Sequence, residues 1–118
     1  NIMYKINITS PEHFIPRFCS LLQIDKKYIQ LMNILSKKIV KLPDISENTP
    51  PAIATGIIYF ICHLCKLNIN KKKISLVCEI SEVTINKCFK KLINFTDILI
   101  SEDMKEKYNI KYKIKIIN

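Results

Sequence analysis

A single glycine, Gly56, serves the whole chain of 118 residues. An all-β domain of that length turns back on itself repeatedly in tight corners that glycine usually supplies, so the expected fold class is all-α. The many isoleucines favour strands by propensity, but the spacing of apolar residues is the stronger signal and it is helical. With 48% hydrophobic and 25% charged residues, one domain with one core is expected, folding without metal or disulfide staples. The most apolar run, Ala52 to Cys65, holds Thr55, Gly56 and His63 and falls short of the roughly 20 residues a membrane span needs, so no segment is expected to cross a bilayer. The first residues, Asn1-Ile2-Met3-Tyr4-Lys5, lack the apolar run of a secretory signal, and the chain reads as part of something longer.

Five helices follow from capping and periodicity. Ser10-Pro11-Glu12 is a helix start, with Pro16 restarting or kinking the helix and Phe14, Phe18, Leu21 and Leu22 on its apolar side. Asp25 caps a second helix in which Tyr28, Leu31, Met32, Leu35, Ile39 and Leu42 recur at intervals of three and four until Pro43. Asp44 to Asn48 reads as polar linker, and Thr49-Pro50 as a cap followed by a proline. The third helix, Pro51 to about Leu67, is apolar nearly all the way round, as a helix surrounded by others must be. Lys71 to about Cys78 form a short fourth helix with Ile74 and Val77 inward. After Glu79-Ile80-Ser81 comes a fifth, Glu82 to about Phe95, whose buried side is Ile85, Cys88, Phe89 and Leu92. Two helices across so short a break make a helix-turn-helix. The tails differ: Ile2, Tyr4, Ile6 and Ile8, and again Tyr108, Ile110, Tyr112, Ile114 and Ile116, alternate as strands do. They pair as a short β ribbon or serve as linkers.

Nineteen basic residues against ten acidic give a net charge of +9, which favours a polyanionic partner such as nucleic acid or an acidic membrane surface. Residues 62 to 95 hold 7 of the basic residues and only 2 of the acidic ones. Arg17 is the sole arginine, and lysine holds phosphate as a point charge, whereas forked reading of guanine is chiefly arginine's work. Contact with the nucleic-acid backbone is therefore better supported than base reading. On the fifth helix, Val83, Asn86, Lys87 and Lys90 lie opposite the buried stripe, with Glu82 and Thr84 in the first turn. Such a face fits a major groove: Val83, Thr84 and Asn86 are the candidate base contacts, and Lys71, Lys72, Lys73, Lys87 and Lys90 the candidate phosphate contacts. The plain alternative is a solvated, charged helix face.

Five cysteines, at 19, 62, 65, 78 and 88, are an odd number, and a reduced setting is the default. Cys62-His63-Leu64-Cys65 has the spacing of half a zinc site, with Cys78 and Cys88 as further ligands, but it lies inside an apolar helical run with no second close pair. The preferred reading is five small buried hydrophobes, with no metal and no cofactor. Cys62 and His63 point about 100° apart on one helix and make a poor nucleophile and base. No phosphate-cradling glycine loop is present, and the chain is not expected to be an enzyme.

Three motifs in order carry a resemblance. Thr49-Pro50-Pro51-Ala52-Ile53-Ala54-Thr55-Gly56-Ile57-Ile58-Tyr59, then Lys72-Lys73-Ile74-Ser75, then Ile80-Ser81-Glu82-Val83-Thr84-Ile85-Asn86-Lys87 resemble the second cyclin-like repeat of transcription factor IIB and its archaeal counterpart. Phe14-Ile15-Pro16-Arg17-Phe18-Cys19-Ser20 is similar to that repeat's first helix. The resemblance covers roughly residues 10–95, leaving 1–9 as an N-terminal linker or strand and 96–118 as a C-terminal extension. It implies a five-helix cyclin-like fold with the third helix central, and a role in clamping promoter DNA with the TATA-box-binding protein and recruiting RNA polymerase, in the nucleus. The preceding repeat and zinc ribbon of the family lie outside this sequence. The family's last helix reads an upstream promoter element with a Val, matched by Val83, and an Arg, whose position is taken by Asn86. Asparagine lacks the fork for guanine and suits adenine. A family glycine in the turn is replaced by Glu79, where a left-handed backbone costs roughly 1–2 kcal/mol unless the turn takes another shape. Glu79 and Glu82 also bring negative charge to the face. The readings held beside this one are a cyclin-like protein-interaction module without DNA binding and the RNA polymerase III paralogue of the family. The bias to lysine, isoleucine and asparagine suggests an AT-rich genome, a protist's or that of a large DNA virus with a cytoplasmic factory.

Overall fold

The computed structural model describes residues 10–42 and 48–110. Among them every regular element is helical: a 3₁₀ turn at Pro11–His13, then α1 (Ile15–Leu22), α2 (Lys26–Ile39), α3 (Pro50–Leu64), α4 (Lys71–Cys78), α5 (Glu82–Asn94), α6 (Thr96–Leu99) and α7 (Glu102–Lys107). The first five are the helices expected from periodicity, in the expected order. No described helix is long and apolar enough to cross a membrane.

Local chemistry sets most boundaries. Ser10 accepts from the Glu12 N–H at 3.3 Å and opens the 3₁₀ turn. Pro16 then starts α1 afresh in its first turn. The restart resets the helical phase, so the buried residues are Ile15, Phe18, Cys19 and Leu22, while Leu21, expected inward, is 52% exposed. Asp25 caps α2 through the Lys27 N–H at 3.1 Å, and α2 buries Leu31, Met32, Leu35 and Ile39. Asn70 caps α4 through the Lys73 N–H at 2.9 Å. Ser81 caps α5 through the Thr84 N–H at 3.2 Å. Between α4 and α5 Glu79 sits in the left-handed region at φ 60°, ψ 39°, and its N–H closes α4 on the Ser75 carbonyl at 2.9 Å. A Cβ-bearing residue thus keeps the conformation that glycine usually fills.

α3 occupies the centre. Ala52 to Ile58, Phe60, Ile61, Cys62 and Leu64 are all buried, and α3 touches α1, α2, α4 and, most extensively, α5. The buried Thr55 hydroxyl is satisfied within the helix by donating to the Ala52 carbonyl at 2.8 Å. Gly56 explains the closeness of α3 and α5: a Cβ there would stand 2.5 Å from the Cβ of Cys88. The one glycine of the chain thus serves a helix crossing rather than a turn.

Beyond α5 the chain departs from expectation. Residues 107–110 do not alternate as a strand: Lys107 ends α7, Tyr108 caps it, and Asn109 turns at φ 55°. Tyr108 and Ile110 are buried in the core with Leu99 and Ile100, and the Tyr108 ring lies 6.2 Å from that of Tyr28 on α2. Lys38 of α2 donates to the Leu99 carbonyl at 3.1 Å. Burial of these apolar groups overrides the strand-like pattern. The expected linker at 44–48, apart from Asn48, and the strand readings of 2–8 and 112–116 fall outside the described residues.

Candidate nucleic-acid interface

The candidate face is built by α4, the turn at Glu79 and α5. α5 is anchored from behind by Ile85, Cys88 and Leu92, all fully buried. Phe89, expected inward with them, is half-buried and holds α3 from the side, its ring 4.7 Å from Tyr59 and 5.3 Å from His63 in edge-on geometry. On the opposite side Val83 is 65% exposed, Thr84 and Asn86 are half-buried, and Lys87 and Lys90 are exposed. Lys72 and Lys73 are exposed on α4. Leu76, on the same helix, is 73% exposed and was not singled out by periodicity. The structure thus brings the three proposed base-reading residues onto one helix end, flanked by four exposed lysines. Negative charge is present at the same end, since Glu79 and Glu82 are exposed too.

Two residues of this set do more than expected. Thr84 is tied into the cap of its own helix, with Ser81 Oγ donating to Thr84 Oγ1 at 2.9 Å. Lys71 differs from the other lysines: it is half-buried, its Nζ donates to Asn86 Oδ1 at 3.1 Å and lies 5.8 Å from the centre of the Tyr59 ring. The ammonium is directed toward α5 and α3. Sequence reasoning placed Lys71 with the phosphate contacts because a run of three lysines looks uniform. The first of them starts the helix on its inner side.

The cysteines are small buried groups: four are buried and Cys65 is half-buried. Burial pushes the Cys19 and Cys62 thiols up to about 12, and Cys65 and Cys78 up to about 11 against the weaker pull of Lys27 and Arg17. Burial raises Cys88 as well. A thiol held protonated is neither nucleophile nor ready metal ligand. Cys62 and His63 line one surface depression of about 340 Å³, yet Cys62 is 1% exposed while the His63 ring packs edge-on against Phe89.

Comparison with known proteins agrees with this architecture. The family model described as the transcription factor TFIIB repeat matches residues 4–95. The chain belongs to the TFIIB repeat family. Relatives of this TFIIB repeat include a transcription initiation factor IIB-like protein of Acanthamoeba polyphaga mimivirus, 32% identical over 113 residues, 96% of this chain and 24% of the relative. Transcription initiation factor IIB of Encephalitozoon cuniculi is 31% identical over 86% of this chain and 33% of its own length. That of Methanosarcina mazei is 30% identical over 81% of this chain and 28% of its own length. The TFIIB repeat spans at most about a third of each of these relatives.

Proposed function

We propose that this TFIIB repeat acts in a transcription initiation factor by docking the start of α5 into the major groove of promoter DNA, upstream of the site held by the TATA-box-binding protein. It would serve RNA polymerase recruitment as one part of the full-length factor. The observation that carries this reading is the joint exposure of Val83, Lys87 and Lys90 on a helix whose reverse side, Ile85, Cys88 and Leu92, is sealed in the core. A groove about 12 Å wide admits a helix presented in this way. Lys72, Lys73, Lys87 and Lys90 supply the phosphate contacts, Val83 an apolar contact for a thymine methyl, and Asn86 a polar contact to a base edge. Kinship with factors named for transcription initiation in a virus, a eukaryote and an archaeon supports the setting. The nucleus is the matching compartment, and the mimivirus relative supports a viral factory as the other.

The test is a duplex titration at two salt concentrations. Four phosphate contacts release counterions with a slope of about −3.6 in log affinity against log salt, or about a hundredfold between roughly 50 and 200 mM. Changing Lys87 and Lys90 to Glu should weaken binding and flatten the slope. Binding that ignores both salt and these substitutions refutes the reading. The second reading, a protein-binding module, is favoured by the exposure of Leu76 at 73% beside these lysines. Negligible DNA binding by the wild type, with capture by the other initiation proteins that Leu76→Ser abolishes, would support it.

A further inference from the structure

We infer that Lys71 is a positioning residue that turns the amide nitrogen of Asn86 toward base edges, so that the pair favours guanine, which presents two acceptors, over adenine, which presents an acceptor beside a donor. This rests on the groove-docking reading above and adds the specificity of one of its contacts. An asparagine amide carries an acceptor and a double donor at opposite corners, and free rotation lets it match adenine's paired N7 acceptor and N6 donor. The ammonium of Lys71 has hydrogens only, so the corner facing it must be the oxygen. That orientation is set by chemistry and not by the similar shapes of the two corners. With Oδ1 turned to Lys71 at 3.1 Å, the oxygen keeps a second lone pair but its corner is held toward Lys71, and the amide nitrogen with its two hydrogens is the corner that meets a base edge.

Lys71 is itself held. Its Nζ lies 5.8 Å from the Tyr59 ring centre, within the range in which an aromatic face attracts a cation, and Tyr59 is braced at 4.7 Å by Phe89 of the same α5. The chain of contacts runs from α3 to the first residue of α4 and on to α5, and it rigidifies the amide on the exposed helix end. An amide that leads with its donors finds two acceptors on guanine, N7 and O6, one on thymine, O4, and one on adenine, N7, beside the competing donor N6, while cytosine offers only the donor N4. The Lys71–Asn86 pair therefore approaches with two residues the donor role that an arginine fills with one, and it reverses the adenine preference expected from Asn86 alone.

The test is selection of binding sites by the intact protein from a pool of duplexes randomised along the upstream element, repeated for Lys71→Met, Lys71→Arg and Asn86→Ala. The wild type and Lys71→Arg, which keeps a donor toward Oδ1, should enrich guanine first at one position. Lys71→Met frees the amide and should move that position toward adenine by about tenfold, the weight of one bidentate pair. Asn86→Ala should flatten that position and leave its neighbours unchanged. Circular dichroism confirms that each variant keeps its helix content. A wild type that already prefers adenine overturns the inference. So does a Lys71→Met variant that selects the wild-type base while losing affinity evenly across sequences and lowering the salt slope by about one, the behaviour of a plain phosphate contact. Failure of the wild type to enrich any sequence overturns the groove reading itself and this inference with it.

Discussion

Changing Gly56 to Ala plants a methyl group 2.5 Å from the Cβ of Cys88, where ordinary carbon contacts begin near 3.5 Å. The obstacle is the Cβ itself, not the end of a flexible side chain, so relief requires α3 and α5 to part by roughly 1 Å. Overpacking of this kind costs about 1–3 kcal/mol, and the better helix propensity of alanine returns about 1 kcal/mol. Because both helices are anchored along their lengths by fully buried residues, the upper half of the overpacking range applies. A net loss of about 1–2 kcal/mol should lower the melting temperature by about 4–10 °C for a domain of this size. Urea unfolding followed by circular dichroism measures it directly. A second substitution identifies the cause: Cys88→Gly removes the opposing Cβ and should recover part of the loss in the Gly56→Ala background, whereas Cys88→Ala keeps that carbon and should not. Stability of Gly56→Ala equal to or above wild type, or rescue by Cys88→Ala, would refute the close-approach argument.

Glu79→Gly should stabilise the protein by about 1 kcal/mol in urea unfolding, since residue 79 is left-handed at φ 60° and glycine adopts that conformation without the steric cost that side chains meet. The thiols make stability fall at alkaline pH. With Cys62 held up at about 12 from its ordinary 9.0, the unfolded chain ionises first, so the stabilisation is complete below pH 9 and is lost as pH rises toward 12. Replacing Cys62 by Val should shallow that decline in urea midpoints measured across this range. Lys38→Met removes the donor to the Leu99 carbonyl and should cost about 1 kcal/mol. Hydrogen exchange should show faster opening at residues 99–100 than in α3.

Elements whose signals are local were legible in advance. The caps at Ser10 and Asp25, the stripe Ile85, Cys88 and Leu92, and the burial of α3 on nearly all sides follow from residue type and a period of 3.6. For α1 the restart at Pro16 and the burial of Phe18 and Leu22 were legible, but not that the restart turns Ile15 and Cys19 inward and leaves Leu21 outside. The chain from Lys107 on was read as a strand or linker because Tyr108 and Ile110 alternate with polar residues. The competing cue was Ser101-Glu102-Asp103, a cap with acidic residues in the first turn, which predicts α7 by the capping rule that opened α2 at Asp25. The bond from Lys71 to Asn86 had no such cue. It joins residues fifteen positions apart through a left-handed corner whose angle depends on Glu79, and no periodicity encodes that angle.

With only a hydrogen at residue 56 where α3 and α5 cross, the tilt of α5 is inherited from the interior and has little latitude. Lineages carrying this crossing would then acquire new promoter preferences by exchanging outward residues such as 83 and 86, while the pose of the helix stays put. Binding sites for such variants should differ in letters but keep their length and phasing.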